Sequence, residues 1–265
     1  MQTGIMAGRR ALVTGGATGI GAGIAATLAN AGARVMIADI AGAEAQATAA
    51  ALPGDGHRAV VLDVTDDDGW ERAVAATTAQ LGGFDVLVNN AGIEISSLLV
   101  DVRAEDLRRM CDVNIVGTAL GLKHAFRAMR PGGAAGAGGA VLNIASVAAT
   151  IVFPGIAGYS ATKSAVDRIT RIAAAEAGRL GYGVRVNCLY PGLVPTRMGN
   201  QLAVDCAEMG LFPSVEAAVG AVVGLTPAGR LGEVADMADA ALFLLSDQAR
   251  FITGTGLAVD GGMGS

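Results

Sequence analysis

Clusters of basic residues are missing from this chain of 265 residues, and the excess of Asp and Glu over Lys and Arg leaves a net charge of −5. Such a balance offers nothing to a phosphate backbone, so nucleic acid is not expected as a partner. Histidine occurs only at His57 and His124, and the cysteines Cys111, Cys188 and Cys206 are odd in number, far apart and free of any C-x-x-C spacing. That argues against a disulfide framework and against a metal centre, and it fits a reducing compartment. Aromatic residues make up 4% of the chain while Ala and Gly abound, which suits helices packed closely on a sheet. No continuous block of about 20 strongly apolar residues occurs. One uncharged stretch, residues 131–162, is broken by glycines, Asn143, Pro154 and serines, and reads as a buried strand with loops on both sides. The first ten residues run into a strand without the apolar core of a secretory signal. The expectation is a soluble, cytoplasmic protein with no membrane contact.

What is present is an alternation. Short apolar segments at residues 11–14, 34–39, 59–62, 84–88, 140–145, 184–189 and 256–259 read as strands. Helical segments fall between them at 19–30, 43–52, 66–81, 104–129, 159–179 and 233–245. Apolar strands separated by helices predict an α/β fold with a parallel sheet covered on both faces. No linker or internal repeat divides the chain, so a single domain over residues 1–265 is expected, and the Gly/Ala tract at 132–139 is taken as a flexible loop.

Thr14-Gly-Gly-Ala-Thr-Gly-Ile-Gly21 joins the first strand to the first helix. Gly15, Gly19 and Gly21 let the backbone turn sharply and let a pyrophosphate reach the helix N-terminus, where free N–H groups and the dipole favour anions. An ordinary strand–helix turn is the plainer alternative, since the spacing departs from G-x-G-x-x-G. Asp39 ends the second strand about 20 residues further on, as expected for an acid that binds the adenosine ribose hydroxyls. Its charge would repel a 2′-phosphate and no Lys or Arg occurs in the glycine turn, so NAD is favoured over NADP; a cap on the following helix explains the same position. Asp63, after the third strand, is placed for the adenine edge. Asn89-Asn-Ala-Gly92, after the fourth, offers small residues beside a ribose.

Tyr159 and Lys163 are four residues apart in Gly158-Tyr-Ser-Ala-Thr-Lys163, one turn apart on the same helix face. A phenol ordinarily ionises near pH 10; an ammonium beside it favours the phenolate. The pair is therefore a candidate acid/base device for a hydroxyl group.

In order, the glycine turn, Asn89-Asn-Ala-Gly92, Ser146, Tyr159, Lys163 and Pro191-Gly192 make the chain resemble the short-chain dehydrogenase/reductase family, over residues 10 to about 262. The resemblance implies a Rossmann-like, doubly wound parallel sheet. It implies Tyr159 as catalytic acid/base, Ser146 as the hydroxyl that orients the substrate oxygen, and Lys163 as the residue that binds the nicotinamide ribose and lowers the tyrosine pKa. Asn114, in Asp112-Val-Asn-Ile115, matches the helix asparagine of the family's proton relay. Cofactor contacts are implied for Gly15, Thr18, Gly19, Ile20, Gly21, Asp39, Asp63, Val64, Asn90, Ala91, Gly92, Tyr159, Lys163, Pro191, Gly192, Val194 and Thr196. A strand-end cap at Ser146 and a backbone-bonded polar residue at Asn114 are the plain alternatives.

Residues 197–230 carry Met198, Leu202, Met209, Leu211 and Phe212 and are expected to fold as short helices over the substrate, with uncharged residues 147–153 as the opposite wall. An apolar pocket with a tyrosine and a serine suits a hydrophobic secondary alcohol or its ketone, cyclic or steroid-like. Glu94 is expected to face solvent, with the pocket rim as the alternative. The C-terminal strand and two long helices suggest, by resemblance, a homotetramer. An NADPH-dependent 3-oxoacyl-[acyl-carrier-protein] reductase and a non-catalytic dinucleotide sensor are the competing readings.

Overall fold

The computed structural model describes residues 4–136 and 138–265. The start of the expected N-terminal run (residues 1–3) and one residue of the Gly/Ala loop (137) lie outside the described residues. The elements follow as β1 (Arg10–Thr14), α1 (Gly19–Asn30), β2 (Arg34–Asp39), α2 (Gly42–Ala51), β3 (Arg58–Val61), α3 (Asp67–Leu81) and β4 (Val86–Asn89). The second half has α4 (Ala104–Met110), a π turn (Cys111–Val116), α5 (Gly117–Met129), β5 (Gly139–Ile144), α6 (Ala157–Arg179), β6 (Val184–Pro191), α7 (Arg197–Glu208), α8 (Val215–Leu225), α9 (Val234–Leu245) and β7 (Gly256–Val259).

The strands form one seven-stranded sheet in the order β3-β2-β1-β4-β5-β6-β7, and every neighbouring pair is parallel. Their apolar residues alternate between two cores, as the period of a strand requires. Val13, Val35, Ile37 and Val88 meet Ile24 and Leu28 of α1 and Leu244 and Leu245 of α9 on one face. Leu12, Met36 and Leu87 meet Trp70 and Leu81 of α3, Leu122 and Met129 of α5 and Ala173 of α6 on the other. Burial on both faces explains why these strands read as continuous apolar runs. The chain moves outward from β1 to β3, then returns to lay β4 on the other side of β1. That reversal opens a crevice at the carboxyl ends of β1 and β4, where open α/β sheets bind ligands. Among the described residues no helix is long and apolar enough to cross a membrane.

Two boundaries differ from the sequence reading for identifiable reasons. Asp66 stands outside α3 as its N-cap, with its carboxylate accepting from the Asp68 N–H. The single helix expected over residues 104–129 contains the π turn at Cys111–Val116. Hydrophobic periodicity cannot register one extra residue in a turn, because the apolar stripe resumes on the same face after it.

Candidate functional site

The crevice is an open cleft of about 1630 Å³ that runs from the glycine turn to the N-terminus of α6. At one end, Gly15 has φ +59° and a Cβ there would lie 2.8 Å from the Ala91 Cα. A Cβ on Gly21 would collide with the Gly15 carbonyl oxygen and the Asn90 amide. Only glycine fits either place. Asn90 holds this turn from the β4 side: its Nδ2 donates to the Thr14 carbonyl at 3.0 Å and to the Gly15 carbonyl at 2.9 Å. The Thr14 hydroxyl accepts from the Asn90 and Ala91 N–H groups at 3.1 and 3.2 Å. No side chain caps α1, so its first turn offers backbone donors to an anion in the cleft.

Asp39 does not cap α2, whose N-cap is Ala41 with no side-chain cap bond. Its carboxylate accepts from the Ala17 N–H at 3.1 Å and the Ala41 N–H at 3.0 Å, tying the glycine turn to the loop after β2, and it also lines the cleft. Asp63 lines the cleft too, exposed, with one oxygen accepting from the Thr65 N–H and hydroxyl at 2.9 and 2.8 Å. A glycine turn without a Cβ, an uncapped helix end and a carboxylate at the end of β2 are a donor set and a shape that fit a nicotinamide dinucleotide.

At the other end Tyr159, Lys163 and Ser146 line the cleft together. The Lys163 amine is buried, donates to the Ile144 carbonyl at 2.8 Å and lies 5.5 Å from the centroid of the Tyr159 ring. A Cβ on Gly92 would lie 3.4 Å from that amine, so glycine leaves it room. Burial lowers the Lys163 ammonium to about 8. Burial also pushes the Tyr159 phenol up to about 12; a hydrogen bond from Ser146 opposes the rise and the charge of Glu94 adds to it. Burial is the largest cause, and in the protein alone the phenol is held protonated. Ser146 has a second task, accepting from the Ala148 N–H at 3.1 Å at the start of a short 3₁₀ turn (Val147–Ala149).

Of the residues singled out from sequence, Gly15, Thr18, Gly19, Ile20, Asp39, Asp63, Val64, Asn90, Ala91, Gly92, Ser146, Tyr159, Lys163, Pro191, Gly192, Val194 and Thr196 all line this one cleft. Gly21 and Asn114 do not; they sit behind its wall. Asn114 is buried in the π turn, accepting from the Ile93 N–H and donating to the Ile93 carbonyl, both at 2.9 Å. Its Nδ2 also donates to the Thr162 hydroxyl at 3.0 Å, which in turn donates to the Tyr159 carbonyl at 2.8 Å. The asparagine thus joins the loop after β4 to the first turn of α6. Thr162 was not foreseen, and nothing in the sequence marks it beyond its place between Tyr159 and Lys163.

The substrate side is partly as expected. Residues 197–230 form α7 and α8, and Met198 and Leu202 line the cleft with Val147, Ile151 and Phe153 opposite. Met209, Leu211 and Phe212 instead pack with Cys206 and Ala218 in a small core of their own. Glu94 overturns its expectation: it is half-buried in the cleft wall rather than solvent-facing. Burial raises its carboxyl to about 7, a hydrogen bond from Ser96 working against this and the charge of Asp205 with it.

Comparison with known proteins agrees with this geometry. A family model described as enoyl-(acyl carrier protein) reductase matches residues 15–264. The chain is 36% identical to trans-4-hydroxycyclohexanecarboxylate dehydrogenase of Sinomonas cyclohexanicum, covering 95% of this chain and 91% of that one. It is 38% identical to 2,5-dichloro-2,5-cyclohexadiene-1,4-diol dehydrogenase of Sphingobium indicum over 97% of both. A 3-alpha-(or 20-beta)-hydroxysteroid dehydrogenase of Mycobacterium tuberculosis is 35% identical over 98% of this chain and 91% of its own. A crystal structure of a short-chain type dehydrogenase/reductase from Mycobacterium marinum superposes with a TM-score of 0.85 at 30% identity, over 97% of this chain and 96% of that one. The chain belongs to the short-chain dehydrogenase/reductase family, oxidoreductases that bind a nicotinamide dinucleotide.

Proposed function

We propose that the protein is an NAD-dependent dehydrogenase that interconverts a hydrophobic secondary alcohol, cyclic or steroid-like, and its ketone, with Tyr159 as the acid/base. The observation that carries this reading is the convergence of Tyr159, Ser146 and Lys163 at the apolar end of a cleft whose other end holds Asp39. Three relatives named for cyclic or steroid alcohols support the substrate class.

When bound, the nicotinamide ring supplies a hydride acceptor or donor and, oxidised, a positive charge near the phenol. The Ser146 hydroxyl binds the substrate oxygen and fixes its direction. Tyr159, held protonated by burial, delivers its proton to a ketone oxygen and is left as the phenolate; in the reverse direction the phenol first gives its proton to solvent in the open cleft, and the phenolate then accepts the proton of the alcohol. Lys163, pinned by the Ile144 carbonyl, keeps a cation beside the ring and donors toward a ribose. Asn114 acts behind them by holding the Ile93 backbone. The Asp39 carboxylate suits ribose hydroxyls and opposes a 2′-phosphate, which supports NAD over NADP. The residues form one domain, cytoplasmic and homotetrameric; free cysteines and exposed apolar side chains such as Ile172 and Phe251 support the last two points.

The test is an NAD reduction screen over steroid, alicyclic and aliphatic secondary alcohols, run beside NADP. Turnover of cyclic alcohols with NAD is expected. A strong preference for NADPH would favour the acyl-carrier-protein reductase reading. Tight NADH binding without turnover of any alcohol or ketone would favour a sensor.

A further inference from the structure

Glu94 has no part in the chemistry above, yet it sits in the same cleft. It follows Ile93, whose N–H and carbonyl are both fixed by Asn114, so its backbone is held in place. One carboxylate oxygen accepts from the Ser96 hydroxyl at 2.8 Å. The other accepts nothing, and no cation among the described residues pairs with the group. The charged groups that face it from the packed elements are Asp205 of α7, which adds like charge, and the Tyr159 phenol of α6. The Cys206 thiol of α7 feels the same carboxylate. The cleft that Glu94 lines also carries the apolar side chains of Ile151, Phe153, Ile156 and Leu202. A carboxylate oxygen that the protein leaves unpaired in the cleft is available to a donor on a ligand.

We infer that Glu94 is a specificity-determining residue: its free oxygen accepts a hydrogen bond from a second hydroxyl of the substrate, away from the reacting carbon, and its charge rejects a carboxylate at that place. This rests on the dehydrogenase reading, which makes the Tyr159 end the reacting end. The ligand class is a cyclic diol or hydroxyketone rather than a plain cyclic alcohol or a hydroxy acid. A hydrogen bond to a charged group is worth roughly tenfold in selectivity or somewhat more.

The experiment compares wild type, Glu94→Gln and Glu94→Ala on cyclohexanol, cyclohexane-1,4-diol and 4-hydroxycyclohexanecarboxylate with NAD. The readout is the ratio of kcat/KM values, diol to cyclohexanol and carboxylate to cyclohexanol, with unfolding curves confirming that each variant is folded. Wild type is expected to prefer the diol by about tenfold. Alanine is expected to abolish the preference. Glutamine, which keeps an acceptor without charge, is expected to retain part of it and to admit the carboxylate. Equilibrium binding of the diol and of cyclohexanol to each protein in the presence of NADH gives a second ratio that needs no turnover. If no substrate turns over while the binding ratio still depends on Glu94, the dehydrogenase reading fails and the Glu94 assignment stands. If both ratios are the same in wild type and alanine variant, the assignment is overturned whatever the activity.

Discussion

Replacing Glu94 by glutamine should stabilise the protein, and by an amount that depends on pH. The carboxyl moves from its ordinary 4.5 to about 7 in the folded chain, first through burial and then through the charge of Asp205. The folded state therefore binds this proton more tightly than the unfolded state does. Stability from the raised value is fully present below pH 4.5 and is lost as pH rises through about 7. Taken whole, the displacement corresponds to roughly 3 kcal/mol; the cleft is open to water, and screening reduces that to about 1–2 kcal/mol. Glutamine has no charge to desolvate. The expected result is near-equal stability of the two proteins at pH 4.5 and a growing advantage for Glu94→Gln up to pH 8, worth about 3–6 °C in Tm for a chain of this size. Thermal or urea unfolding at fixed protein concentration across that range measures it. The Tyr159 phenol and the Cys206 thiol, both raised by burial, stay protonated throughout and do not contribute. An Asp205→Asn background should shrink the advantage. A stability difference that is flat with pH, or that favours wild type at pH 8, would refute the reasoning.

Other perturbations give separate outcomes. Tyr159→Phe should lower kcat for any alcohol by about 10²–10⁴-fold while NADH binding, followed by fluorescence, changes little. Asp39→Asn keeps a side-chain acceptor for one of the two backbone N–H groups that Asp39 binds but removes the charge, so the ratio of kcat/KM with NADP to that with NAD should rise by about tenfold or more, the equivalent of 1.4 kcal/mol. Gly21→Ala places a methyl group against the Gly15 carbonyl and the Asn90 amide; dinucleotide affinity should fall at least tenfold with a loss of about 1–3 kcal/mol in stability, read by titration and melting.

Much of this was legible in the chain because its rules are local or periodic. The apolar runs of β2 and β4 are uninterrupted since both faces are buried, and they declare a parallel sheet without any knowledge of its order. Gly15 and Gly21 declare themselves because no other residue fits beside Ala91 and the Gly15 carbonyl. The hidden part depends on distance in sequence. Asn90 reaches back to Thr14 and Gly15, and Asn114 reaches Ile93 and Thr162, through contacts that only the assembled sheet creates. Of the two places considered for Glu94 the structure gives the pocket rim: a lone acid after an apolar residue reads as surface, and the charge of Asp205 that it meets lies more than a hundred residues later.

The π turn at Cys111–Val116 makes part of this enzyme's chemistry a matter of counting. An α-helix advances about 100° per residue, so deleting a residue of that turn other than Asn114 would restore regular winding and swing Asn114 out of line with Ile93, or carry the whole of α4 round the axis instead. The composition of the helix would hardly change. Members of a lineage that lost the extra residue would keep every named side chain and still lose the brace behind the tyrosine.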